Sequence, residues 1–157
     1  MTAPGDGSRL RIGVVSDTHG LLPPAALAAF EGVDLVLHAG DVGEESVIEE
    51  LSAVAPVTAV AGNMDCAPLA HALPAAATVD IGVCRALVVH QRGHAPRPLP
   101  DGVRLVVTGH THRAVVRESD GVLFVNPGSV SRPSGGPGTV ALVDVTDGRL
   151  SARIVEL

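Results

Sequence analysis

A chain of 157 residues with a formal net charge of −6, 46% hydrophobic but 1% aromatic residues, is long enough to form one domain, 1–157, burying roughly two-thirds of its unfolded surface without staples. The acidic balance argues against non-specific binders of long nucleic acid or anionic membrane, which need a positive surface, but leaves small phosphoesters open, because bound cations can supply local positive charge. No apolar run approaches the roughly 18 residues of a membrane helix.

Residues 1–8, MTAPGDGS, carry no apolar signal core and read as a loose N-terminal segment of a cytoplasmic protein. Two isolated cysteines, Cys66 and Cys84, fit that reducing compartment and form no metal or redox motif. Leu10 to Ser16 is a short apolar run, read as a strand. Pro23 to Phe30 reads as an Ala/Leu helix whose opening prolines suit a first turn. Val33 to His38 is a second strand, Glu44 to Val54 an amphipathic helix with acids at its positive end, and Val57 to Ala61 a third strand. This β-α-β-α-β order implies parallel strands. The rest reads as mostly β. Ala77 to Ile81 and Val83 to His90 flank a tight turn, and Arg104 to Thr108 follows. Two hairpins then surround Asp120-Gly121 and Asp147-Gly148. Between those hairpins, NPGSVSRPSGGPG is a loop, in which Asn126-Pro127-Gly128-Ser129 has the Pro-Gly placement of a type II turn.

The stretch GVVSDTHG raises the functional question. Asp17 and His19 stand just past the first strand, and in a parallel sheet ligands gather at the carboxyl ends of strands. Other apolar runs end the same way. LHAGD delivers Asp41, AVAGNMD delivers Asn63 and Asp65, ALVVH ends on His90, and LVVTGHTH ends on His110 and His112. Each alone is ordinary turn chemistry. Independent turns, however, have no reason to place metal-ligand types after five separate runs, and we read the set as a metal site.

These motifs, Asp17-Thr18-His19, Gly40-Asp41, Gly62-Asn63-Met64-Asp65, His90, Gly109-His110-Thr111-His112 and Asn126-Pro127-Gly128-Ser129, resemble a calcineurin-like metallophosphoesterase of the small single-domain prokaryotic phosphodiesterase branch. The resemblance runs nearly the whole chain. It implies an α/β fold, a four-layer α/β/β/α sandwich with two mixed β-sheets. It implies one divalent ion on Asp17, His19, Asp41 and His112 and a second on Asp41, Asn63, His90 and His110, with Asp41 bridging. Oxygen and imidazole donors together suit Mn²⁺ first, with Fe²⁺, Zn²⁺, Ni²⁺ or Co²⁺ as alternatives, over Ca²⁺ or Mg²⁺. The implied reaction is hydrolysis of a small phosphoester, in particular a phosphodiester, by a hydroxide held between the two ions, with Asn63 also orienting the phosphate. The alternative implied by the resemblance is a protein-binding scaffold of the same fold, as in the retromer coat, with weak or no catalysis.

The chain departs from the wider family at three points. Met64 stands where many relatives have a histidine suited to protonate the leaving group. Gln91 follows His90 where glycine is usual. The 91–109 connection, rich in proline, replaces an expected covering helix with a loop. His38 matches a retained position and is read as a support behind the ligands. Arg92 and His94 are candidate substrate contacts, with a solvated-loop role as the alternative, and Arg97 and Arg132 stand similarly. Exposed apolar strands would suit a homo-oligomer.

Overall fold

The structure, a computed structural model, describes residues 8–157, so the loose N-terminal segment read at 1–8 lies, except for Ser8, outside them. Among the described residues ten strands make two five-stranded mixed sheets. The strands are β1 (Arg9–Val15), β2 (Leu35–His38), β3 (Val57–Ala59), β4 (Ala76–Ile81), β5 (Cys84–Val89), β6 (Val103–Val107), β7 (Ala114–Ser119), β8 (Val122–Pro127), β9 (Thr139–Thr146) and β10 (Arg149–Glu156). The first sheet has the order β10-β9-β1-β2-β3 and the second β4-β5-β6-β8-β7. β1, β2 and β3 are parallel, as are β5, β6 and β8. Each parallel set therefore points several carboxyl ends the same way.

Strand alternation builds the layers. Ile12, Val14, Leu37 and Val143 face Ala86, Val88, Leu105 and Val107 of the opposite sheet in one buried cluster. The residues between them, Val15, Val36, Val140 and Leu142, face the other way. There they meet Ala26 and Phe30 from α1 (Pro24–Ala29) and its end, and Val47 and Leu51 from α2 (Glu45–Ser52). Gly13 belongs to this packing, since a Cβ there would lie 2.7 Å from the Phe30 ring.

The expected elements are all present, with ends moved by one or two residues. A short α3 (Leu69–Ala72) was not expected; Leu69 and the following Leu73 add to the helical-side core. The outer face of the second sheet carries no α-helix among the described residues. Leu87, Val89, Val103 and Val106 are covered there by Ala95 and Leu99 of the 91–102 segment, whose only regular piece is a 3₁₀ turn, Arg92–His94. Pro96, Pro98 and Pro100 each lack the N–H that a helix interior needs, so the fourth layer is irregular chain.

Candidate metal centre

The loops after β1, β2, β3, β5 and β6 meet at one edge of the two sheets. Backbone bonds stitch them together: Asp17 N–H donates to Gly40 O (3.0 Å), His19 N–H to Asp41 O (3.0 Å) and Gly109 N–H to His90 O (3.0 Å). Asp17, His19, Asp41, His110 and His112 all have φ between 47° and 71°. Non-glycine residues reach this left-handed region at a cost of roughly 1 kcal/mol or more each. Outside the site, only the two hairpin aspartates share it among the described non-glycine residues. Two glycines give the loops room. A Cβ on Gly62 would collide with Asp41, and one on Gly109 would collide with the Ser16 hydroxyl and lie 2.6 Å from Asp17 Oδ2.

The side chains form two clusters that share a carboxylate. In the first, Asp17, His19, Asp41 and His112 offer one donor atom each, all within 4.8 Å of one another. His112 Nε2 lies 3.2 Å from Asp17 Oδ1, and His19 Nε2 lies 3.9 Å from Asp17 Oδ1 and 4.0 Å from Asp41 Oδ2. In the second, His90 Nε2 is 3.3 Å from Asp41 Oδ2 and 2.8 Å from Asn63 Oδ1, while His110 Nδ1 is 3.1 Å from Asn63 Oδ1. The first cluster is largely buried. Asn63 and His110 are exposed, so the second opens to solvent.

The donor chemistry fits cations. Asp17 Oδ2 accepts from Ser16 Oγ (2.6 Å) and His110 N–H (3.0 Å), which aims the carboxylate. Its other oxygen, Oδ1, and His19 Nε2 are buried with no hydrogen-bond partner. Orphaned buried polar atoms are rare and costly, and a cation between them supplies the missing partner. His90 Nδ1–H donates to Ala39 O (2.7 Å). That bond orients the ring so that Nε2 faces two oxygens, as in a metal-binding imidazole.

Burial pushes the Asp17 carboxyl above its ordinary range, opposed in part by the Ser16 hydrogen bond. Burial also pushes Asp41 up, but hydrogen bonds from His90 and the Met64 N–H outweigh it and hold Asp41 below the usual range. His90 shows the complement: burial pushes it down, and Asp41 with the Ala39 carbonyl raises it on balance. Burial lowers His19 despite Asp41.

A family model, the calcineurin-like phosphoesterase superfamily domain, matches residues 10–148. The chain belongs to this superfamily. A probable metallophosphoesterase of Methanocaldococcus jannaschii is 32% identical over 161 residues, spanning 96% of this chain and 83% of the relative. A solved archaeal phosphodiesterase is 28% identical, with a TM-score of 0.76 over 93% of this chain and 100% of its own. Vacuolar Protein Sorting 29 of Cryptosporidium parvum shares the fold, with a TM-score of 0.73 at 21% identity over 95% of this chain and 98% of its own.

In this chain the seven donor residues expected from sequence come together. The other candidates separate. His38 is fully buried behind the site, where its Nε2–H donates to Thr18 Oγ1 (3.0 Å) and its Nδ1 accepts from Gly40 N–H (3.2 Å). The Thr18 hydroxyl in turn donates a hydrogen bond to Val42 O (2.8 Å). Arg92 lies over the Phe124 ring, 4.9 Å from its centroid. His94 is exposed and has no side-chain hydrogen bond among the described residues. Met64 is exposed, and its backbone N–H donates to Asp41 Oδ1 (2.8 Å).

Sequence reading singled out Asp65 and NPGS but missed most of the contacts by which they support these donors. Ser129 and Ser131 both donate to Asp17 O, at 2.7 and 3.0 Å. Asn126 Nδ2 donates to Gly109 O (2.9 Å) and so holds the GHTH loop. Asp65 accepts from Gly43 and Gly62 N–H, 2.9 Å each, and clamps two donor loops together. The available signal was NPGS, at the end of β8, which reads from sequence as a turn and as one motif of the family resemblance, without its contacts.

Proposed function

We propose that this chain is a metal-dependent phosphodiesterase with a dinuclear centre. Asp17, His19, Asp41 and His112 would hold one divalent cation, and Asp41, Asn63, His90 and His110 the other. The observation that carries the reading is Asp41, whose Oδ2 lies between His19 and His90 at 4.0 and 3.3 Å, so that one carboxylate serves both clusters. Mn²⁺ heads the candidates, since hard oxygen donors and borderline imidazoles are mixed. Bound there, two such cations would lower the pKa of a water nucleophile and neutralise charge growing on the phosphoryl oxygens.

The residues divide the remaining work. Asp41 is held ionised by His90 and the Met64 N–H, ready to bridge. Asp17 is locked through Oδ2, so only Oδ1 faces the centre. Asn63 turns Oδ1 toward His90 and His110, which leaves its amide Nδ2 to donate to a phosphoryl oxygen and orient the ester. Met64 moves no proton, so good leaving groups are preferred and rates should fall steeply as leaving-group pKa rises. The substrate is a small phosphoester. A cytoplasmic setting goes with this reading, on the free thiols of Cys66 and Cys84. No helix among the described residues is long and apolar enough to cross a membrane.

The test is hydrolysis of bis(p-nitrophenyl) phosphate by metal-stripped protein and by the same protein reconstituted with Mn²⁺, alongside Asp41→Ala. Activity only with metal, lost in a folded Asp41→Ala variant, supports the enzyme. Activity that survives complete metal removal refutes it. Inactivity with every divalent metal favours the scaffold alternative.

A further inference from the structure

We propose that the flank of the second sheet beside His110 binds a second anionic group of the substrate, so that preferred phosphoesters carry another phosphate besides the one cleaved. The proposal deepens the phosphoesterase reading above and rests on it. A cavity of about 190 Å³ opens there. His110 and Thr111, from the loop that carries the metal donors, form part of its wall. Gln91, Arg92, Arg117 and Phe124 form another part.

The cationic character of this cavity is built in. Arg117 faces Phe124 across the β7–β8 pair. Its guanidinium carbon stands 5.1 Å from the ring centroid, and that of Arg92, from the 3₁₀ turn after β5, stands 4.9 Å from it. One aromatic ring thus gathers two guanidiniums from different segments. Each cation–π contact at an exposed site is weak, and two like charges so gathered repel. No carboxylate lines the cavity, and neither arginine joins an ion pair among the described residues. Acidic residues outnumber Lys and Arg by 17 to 11 in this chain, so an uncompensated arginine pair beside the metal donors stands out.

An anion in the cavity that both arginines line offsets their uncompensated charge, and phosphate oxygens can accept bidentate bonds from either guanidinium. The volume corresponds to about six waters at their liquid share, room for a phosphate group. The irregular 91–102 segment makes this possible, because a long helix over this face would cover Phe124 and the cavity.

The experiment uses the Mn²⁺-loaded protein and dithymidine monophosphate, compared with its 5′-phosphorylated and 3′-phosphorylated forms. We expect a terminal phosphate at one end to raise kcat/KM at least tenfold. Arg92→Gln and Arg117→Gln should each reduce that gain about tenfold, Arg117→Lys should keep part of it, and Arg149→Gln, on the edge strand of the other sheet, should keep all of it. A parallel arm measures binding of the three dinucleotides to metal-free protein by calorimetry, with the same ordering expected. Equal binding of all three forms, or arginine variants that weaken every form alike, overturns the anion site. If no form is hydrolysed with any metal while the binding order holds, the catalytic reading fails and the anion site stands.

Discussion

His38 offers a sharp test of how the loops around the centre are held. It is fully buried, and its two ring nitrogens have opposite duties: Nδ1 accepts from Gly40 N–H, and Nε2–H donates to Thr18. Only the neutral ring satisfies both. Burial accordingly pushes its pKa from 6.5 to about 4. The folded state then binds fewer protons than the unfolded state between these values, so stability rises with pH across that window. Stability that is full above pH 6.5 should fall as pH drops, by about 2 kcal/mol at pH 5 and about 3 kcal/mol once pH is well below 4, at 1.36 kcal/mol per unit. The assay is urea unfolding of metal-free wild type and His38→Gln at pH 7.5, 6, 5 and 4, with the variant cancelling every other titrating group. The difference should favour wild type most at pH 7.5 and shrink by about 2 kcal/mol at pH 5. Parallel stability curves would refute the locked neutral ring.

Two further substitutions test packing at and away from the site. Gly109→Ala should leave the fold intact by circular dichroism and weaken Mn²⁺ binding at least tenfold, because the new methyl group displaces Ser16 and the Asp17 carboxylate it orients; unchanged affinity by calorimetry would count against that geometry. Phe30→Ala removes the ring that fills the space over Gly13 and should cost about 3–5 kcal/mol in urea unfolding, with metal affinity at 25 °C retained.

Much of this molecule is legible in its sequence because its strands are short apolar runs bounded by turn residues. Leu10–Ser16 and Thr139–Val145 stand out that way, and Asp-Gly pairs mark the hairpins. The donor residues are legible because each follows a strand of known direction. What is not legible depends on contacts between distant segments. Ser129 and Ser131 reach Asp17 O across more than a hundred residues, and nothing local to NPGS announces that. The left-handed φ of Asp17, His19, Asp41, His110 and His112 is equally silent, since it is imposed by the meeting of loops rather than by propensity. Arg117 and Arg92 look like unrelated surface charges until the β7–β8 register and the turn after β5 bring both over Phe124.

The same strain separates a catalytic centre from a structural metal site. Five donors in the left-handed region at roughly 1 kcal/mol or more apiece sum to a sizeable part of a domain's usual 5–15 kcal/mol. Something other than metal must bear that cost if the centre is preorganised. The loops have such support in the Gly40, Asp41 and His90 carbonyls, the Asp65 clamp and the serines on Asp17, all above a continuous inter-sheet core. Chelation should therefore leave the chain folded at 25 °C. Adding Mn²⁺ at a hundred times its Kd should then stabilise by about 2.7 kcal/mol, a rise in Tm of roughly 5–10 °C for a domain of this size. Differential scanning calorimetry with and without chelator measures both. Cooperative unfolding on chelation at 25 °C would mean that metal, not the hydrogen-bonded loops, holds the strand ends together.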